Sequence, residues 1–171
     1  MTRTCQEILM YRVELDGISL GETALESADP PMGVVMGKVE FSVTESPYDL
    51  FKSYCAANEL VINQDEEKLE LIDTQNIPGL KVFREDGVEI VGEPGASICG
   101  FRDDGYEVTI IGIPYPFYDE EFPHHREAYD EKFSSESAPY DPLNDYGVGH
   151  ATTPVSMGGG LLKTIIGWFR S

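Results

Sequence analysis

Two adjacent imidazoles, three scattered thiols and two glycine-bearing strings are where this sequence could do chemistry. His124 and His125 follow Phe122-Pro123. Imidazole titrates near neutrality and ligates metals, so acid–base and metal roles both need weighing. Helical metal sites draw ligands from positions i and i+4, whereas helix neighbours project about 100° apart and rarely share one ion. The third histidine, His150, lies in a Pro- and Gly-interrupted stretch, and no well-spaced carboxylate accompanies any of the three. The pattern implies no metal and no cofactor. A small enzyme or ligand-binding protein built on His124 and His125 remains an alternative.

The glycine strings each fall one feature short of a motif. Gly33-Val34-Val35-Met36-Gly37-Lys38 has three residues between its glycines, where a phosphate loop has four, and Val39 stands where that loop needs Ser or Thr. Gly95-Ala96-Ser97-Ile98-Cys99-Gly100 is spaced G-x-S-x-x-G, not as a nucleophile elbow, and leads into a strand. Cys99 would need a positive environment to ionise, and the chain is strongly acidic, so a buried strand thiol is expected. Cys5, Cys55 and Cys99 are odd in number and form no C-x-x-C, which fits reduced thiols in a cytoplasmic protein. None of the motifs points to an enzyme.

What remains is charge. The chain has 171 residues, 12 of them Lys or Arg against 31 Asp or Glu, for a formal net charge of −19. That balance opposes binding to nucleic acid or anionic lipid, both of which require cations to displace their counterions. No apolar run approaches the roughly 20 residues of a membrane span, and the first nine residues do not read as a secretory signal. Residues 61–133 carry 6 basic and 18 acidic side chains, so most of the field comes from this part. Its acids fall in four groups: Asp65, Glu66 and Glu67 with Glu70; Glu85 and Asp86 with Glu89 and Glu93; Asp103 and Asp104 with Glu107; and Asp119, Glu120 and Glu121. None has the spacing of a calcium loop. They are expected either to be solvated turns or to line one edge that attracts a basic protein surface.

The elements that must position these groups are legible in outline. Ile8–Leu15 alternates as a strand, Asp16-Gly17 signals a tight turn, and 18–20 reads as a short return strand. Asp29-Pro30-Pro31-Met32-Gly33 breaks regular structure before a strand over 34–43. Ser46 as N-cap, Pro47 at the first helical position and Asp49 open a helix that runs to Asn58. Strands are expected at 68–72, 80–83, 88–91, 96–102 and 106–113, the last four paired as hairpins across Arg84-Glu85-Asp86-Gly87 and Asp103-Asp104-Gly105. A second helix over 123–133 would set Phe122, His125 or Arg126, Tyr129 and Phe133 on one side, with Asp119-Glu120-Glu121 near its N-terminus. The whole reads as α+β: an antiparallel meander sheet with two helices packed against it and a partly irregular C-terminal tail. Residues 1–133 form the domain, 134–160 an arm or linker, and 161–171 a short apolar helix. Leu161, Leu162, Ile165, Ile166, Trp168 and Phe169 fall to one side of that helix or border it. They would dock on the domain, on a partner or on a second copy.

Asp29-Pro30-Pro31-Met32-Gly33-Val34, and Gly112-Ile113-Pro114-Tyr115 with Phe122-Pro123-His124-His125, Ala128-Tyr129 and Phe133, resemble small bacterial proteins of unknown function. The resemblance spans about residues 7–133 and implies a bacterial origin and an α+β fold. Small acidic proteins of this kind look like immunity proteins, which bind and block a cognate toxin. On that likeness the expected function is inhibition of a basic protein partner in the cytoplasm. The alternative is an assembly protein that docks, or self-associates, through its C-terminal segment.

Overall fold

Asp16 and Gly17 both take positive φ, 50° and 80°, and close the first hairpin as a two-residue turn. The hairpin joins β1 (Tyr11–Leu15) to β2 (Ile18–Thr23), longer than the return strand expected from sequence. A computed structural model describes residues 9–43 and 46–134, all within the first of the two units into which the chain divides, Met1–Glu136. The expected arm, the apolar segment from Leu161 to Phe169, Cys5 and His150 lie outside the described residues.

The remaining elements are β3 (Ser27–Asp29), β4 (Val34–Phe41), α1 (Pro47–Ala57), β5 (Ile62–Glu66), β6 (Leu71–Thr74), β7 (Leu80–Phe83), β8 (Gly95–Phe101), β9 (Gly105–Ile111), α2 (Phe117–Glu121) and α3 (Pro123–Ser134). The fold is α+β, with every strand pairing antiparallel. The nine strands form a single sheet in the order β5-β6-β8-β9-β4-β2-β1-β7, and β3 also pairs with β4. Local hairpins supply β1–β2, β5–β6 and β8–β9, while β9–β4 and β1–β7 join strands distant in sequence.

Alternation along the strands buries one face. Tyr11, Val13 and Leu15 of β1 meet a core that contains Ile98 of β8 and Tyr106, Val108 and Ile110 of β9. α1 contributes Tyr48, Phe51 and Cys55, the helical spacing of one face. Its N-terminus matches expectation: Ser46 Oγ accepts from the Asp49 amide at 3.2 Å and Pro47 opens the helix. Tyr118 and Phe122, with ring centroids 5.5 Å apart, close the core from the α2 side.

Several expectations are corrected. Residues 68–70 are a turn, not the start of a strand: Glu70 has φ 48°, and the strand begins at Leu71. β5 was not expected, because Ile62-Asn63-Gln64-Asp65-Glu66 has no apolar alternation and lies at the sheet edge. Residues 88–91 form no strand of their own. They touch β7 through one bridge, Phe83 to Glu89, and two backbone bonds. Asp119-Glu120-Glu121 sit inside a separate helical turn, α2, not ahead of α3. α3 is mostly exposed. Of its expected inner side only Phe122, just before it, is buried, while His125 and Tyr129 are half-buried and Phe133 is exposed. Cys55 is buried as expected but Cys99 is exposed.

β2 and β3 both pair with β4, so the chain bends between them. Thr23 pairs with Val39 and Ser27 with Met36. Leu25 in the bend takes φ 47°, costly for a branched side chain, yet is fully buried. Its amide donates to Thr23 Oγ1 at 3.2 Å, and its carbonyl accepts from His125 Nε2 at 2.7 Å. The Lys38 amide of β4 donates to Glu26 Oε1 at 2.9 Å, replacing a ladder bond. Gly37 makes room for this bend: a Cβ there would stand 2.6 Å from the Leu25 nitrogen. We predict that Gly37→Ala lowers stability by about 2 kcal/mol or more, since fixed backbone cannot yield as a side chain would. Urea unfolding measures this, and a change within about 0.5 kcal/mol would show that the bend is not constrained as described.

Candidate functional site: the acidic end of the sheet

Strand register sorts the acidic groups between the two ends of the sheet. β9 runs against β4 with Lys38 opposite Glu107, so the β8–β9 turn lies at the Phe41 end of β4. β6 pairs with β8 through Ile72 and Gly100, which brings the β5–β6 turn alongside. The Arg102 amide donates to the Leu69 carbonyl at 3.3 Å, the Arg102 guanidinium pairs with Glu70, and Tyr106 Oη donates to the Glu70 carbonyl at 2.6 Å. Asp65, Glu66, Glu67, Asp103 and Asp104 therefore share one end.

They do not share one state. Asp65 Oδ1 accepts from Tyr48 Oη at 2.5 Å and its Oδ2 pairs with Lys52 Nζ at 2.9 Å, which ties β5 to α1. The tyrosine hydroxyl and then the ammonium hold the Asp65 carboxyl below its usual range. Asp104 pairs with Lys38 at 3.0 Å. Glu66, Glu67 and Asp103 make no ion pair among the described residues. At the same end Leu69 and Phe101 are 53% and 37% exposed. In the sequence each reads as an ordinary strand apolar residue. The pairing of the two turns brings both to one end of the sheet.

Glu85, Asp86, Asp119, Glu120 and Glu121 belong to the other end. β1 pairs with β7 so that Arg12 faces Phe83, and the turn at 84–87 lies beyond Tyr11, away from Phe41. Arg84 bridges Asp86 at 2.5 Å and Glu121 at 2.7 Å. Glu89 pairs with Lys81 at 3.1 Å. Glu121 departs most from expectation, being only 7% exposed. Its Oε1 accepts from Tyr11 Oη at 3.0 Å, so it clamps α2 to β1 and β7 and presents little to a partner. Burial, and then the Glu121 charge, push the Tyr11 hydroxyl well above its usual range. An open groove of about 900 Å³ beside it is lined by Leu9, Met10, Arg12, Glu22, Arg84, Glu85 and Asp86. Its cations are already engaged: Arg84 holds two carboxylates, and Arg12 pairs with Glu14 at 2.7 Å.

The histidines pack together, with ring centroids 4.1 Å apart. His125 donates to the bend carbonyl of Leu25 and so acts in the fold. No group of three or more His, Cys, Asp or Glu that could hold a metal occurs among the described residues. Cys99 sits on β8 across from Asp73 and Glu107. Desolvation, then those two carboxylates, push its thiol up to about 11. A thiol protonated at neutral pH is a poor nucleophile.

The fold is an antiparallel α+β domain, with several carboxylates gathered at one end of its sheet. No family model, curated protein or solved structure matches the chain. None of the described helices is long and apolar enough to cross a membrane.

Two outcomes test the site geometry. Glu121→Ala strands the buried Tyr11 hydroxyl, and we expect a loss of about 2 kcal/mol in urea unfolding. Adding Tyr11→Phe should recover part of it by removing the orphaned group, and an additive double variant would contradict the clamp. His124 is depressed from its ordinary value of 6.5 by desolvation and then by His125. The unfolded chain therefore takes up this proton first as pH falls below about 6.5, and stability present above that pH is lost on the way down. In thermal melts between pH 7.5 and 5.5, His124→Gln should lose less stability than wild type, and equal slopes would contradict the shift.

Proposed function

We propose that this chain is a binding protein that engages a basic protein partner through the end formed by the β5–β6 and β8–β9 turns. The observation that carries the reading is the pairing of those turns across Arg102. It brings exposed Leu69 and Phe101 to the same end of the sheet as Glu66, Glu67 and Asp103. An apolar centre within a polar rim is the general anatomy of protein interfaces. The carboxylates would steer a cationic surface and speed its association. The immunity-type resemblance supplies the specific form: inhibition of a bacterial toxin in the cytoplasm by covering a basic site. Asp86, Glu89 and Glu121, engaged in ion pairs, serve the fold in this reading, while Glu85, Asp119 and Glu120 make no ion pair among the described residues and lie at that opposite end.

Affinity capture from the native host, at low and high salt, tests the proposal with two charge-reversed forms. Glu66→Lys/Glu67→Lys/Asp103→Lys should reduce capture by about tenfold or more, and Glu85→Lys/Asp119→Lys/Glu120→Lys should leave it near wild type. The captured protein should be basic, and its retention should fall as salt rises. An acidic partner, equal effects of the two reversals or no captured partner would contradict the proposal.

A further inference from the structure

We infer that the outer edge of β5 accepts an extended basic segment of the partner as an added antiparallel or parallel strand. This rests on the reading of the acidic end as a protein-binding site and specifies how that site recognises its partner. β5 terminates the strand order, and no strand pairs with its outer edge among the described residues. The opposite terminal strand is not open in this way. Along β7 the Arg84 amide donates to Val88 O at 2.8 Å and the Ile90 amide donates to Val82 O at 2.8 Å. Among the described residues β5 thus presents a row of backbone donors and acceptors with no strand on it, the template that strand addition uses.

Charge selects the occupant. Asp65 and Glu66 lie on β5, Glu67 follows directly, and no Lys or Arg lies on the strand. A second copy would bring the same carboxylates to the edge, and like charges across a strand pair are destabilising. A Lys- or Arg-bearing strand gains where a second copy loses. The side chains set its pattern as well. Asp65 turns to α1, where Tyr48 and Lys52 engage it, so Glu66 projects from the opposite face. The partner's cations are therefore required on alternate residues, on the face away from α1. An irregularity between Ile62 and Gln64 confines regular pairing to Gln64–Glu66, next to the Leu69 and Phe101 tip.

The test uses the full chain and two synthetic peptides of equal charge: one alternates Lys with Thr, and the other is the same peptide N-methylated at every peptide bond. Binding is followed by titration, and amide hydrogen exchange is read along β5. The unmethylated peptide should bind at least about tenfold more tightly and slow exchange within residues 63–67. Equal binding of both peptides would overturn strand addition while leaving the acidic-end reading intact. Protection confined to other strands would also overturn it. Binding by neither peptide would overturn strand addition, and the charge-reversal capture would still judge the acidic end by itself.

Discussion

The bend between β2 and β3 over Gly37 is the constraint on which the rest of the sheet depends. β4 must pair with β9 on one side and with two successive strands on the other. That is possible only if the chain kinks without leaving buried backbone groups unpaired, since each such group costs on the order of 1–3 kcal/mol. Three side chains meet the need: Thr23 serves the Leu25 amide, His125 the Leu25 carbonyl, and Glu26 the Lys38 amide. The absent side chain of Gly37 supplies the space. His125 comes from α3, so the last described helix is fastened to the same point.

From this bend follows the distribution of charge. With the register about β4 set, the turns after β5 and β8 fall at one end, and the turn after β7 falls at the other with α2. The second end spends part of its carboxylates on cohesion, while Glu85, Asp119 and Glu120 stay exposed. Glu121 is buried against Tyr11 and Arg84, and Asp86 holds the same guanidinium. The first end ties its two turns together with Arg102 and Glu70, and leaves Glu66, Glu67 and Asp103 without an ion pair among the described residues at the end where Leu69 and Phe101 are exposed. The net charge of −19 is therefore divided between structural and solvent-facing groups, and only the latter can steer a partner.

How much of this was legible in the sequence depended on whether the controlling forces were local. Asp16-Gly17, the Ser46-Pro47 helix start and the Asp103-Asp104-Gly105 turn were readable because backbone conformation and capping are written in neighbouring residues. β5 was not readable, since an edge strand with polar side chains lacks a burial pattern. The turn at 67–70 was hidden because it contains no Gly, Pro, Asn or Asp. β3 is three residues long and exists through its partner β4. At the site, the acidic groups were visible one by one. Their division between two ends, the burial of Glu121 and the donor role of His125 all depend on contacts spanning about a hundred residues in sequence. Cys99 was expected inside because strand thiols are usually buried, but its side chain falls on the exposed face of β8.

In the proposed interaction one end of the sheet, and not its charge as a whole, makes the contact. Zero-length carbodiimide coupling of the full chain to its basic partner, with the joined residues mapped by mass spectrometry, tests this most directly. Coupling should concentrate on Glu66, Glu67 and Asp103. Coupling concentrated on Glu85, Asp119 and Glu120, or spread evenly over exposed carboxylates, would contradict it.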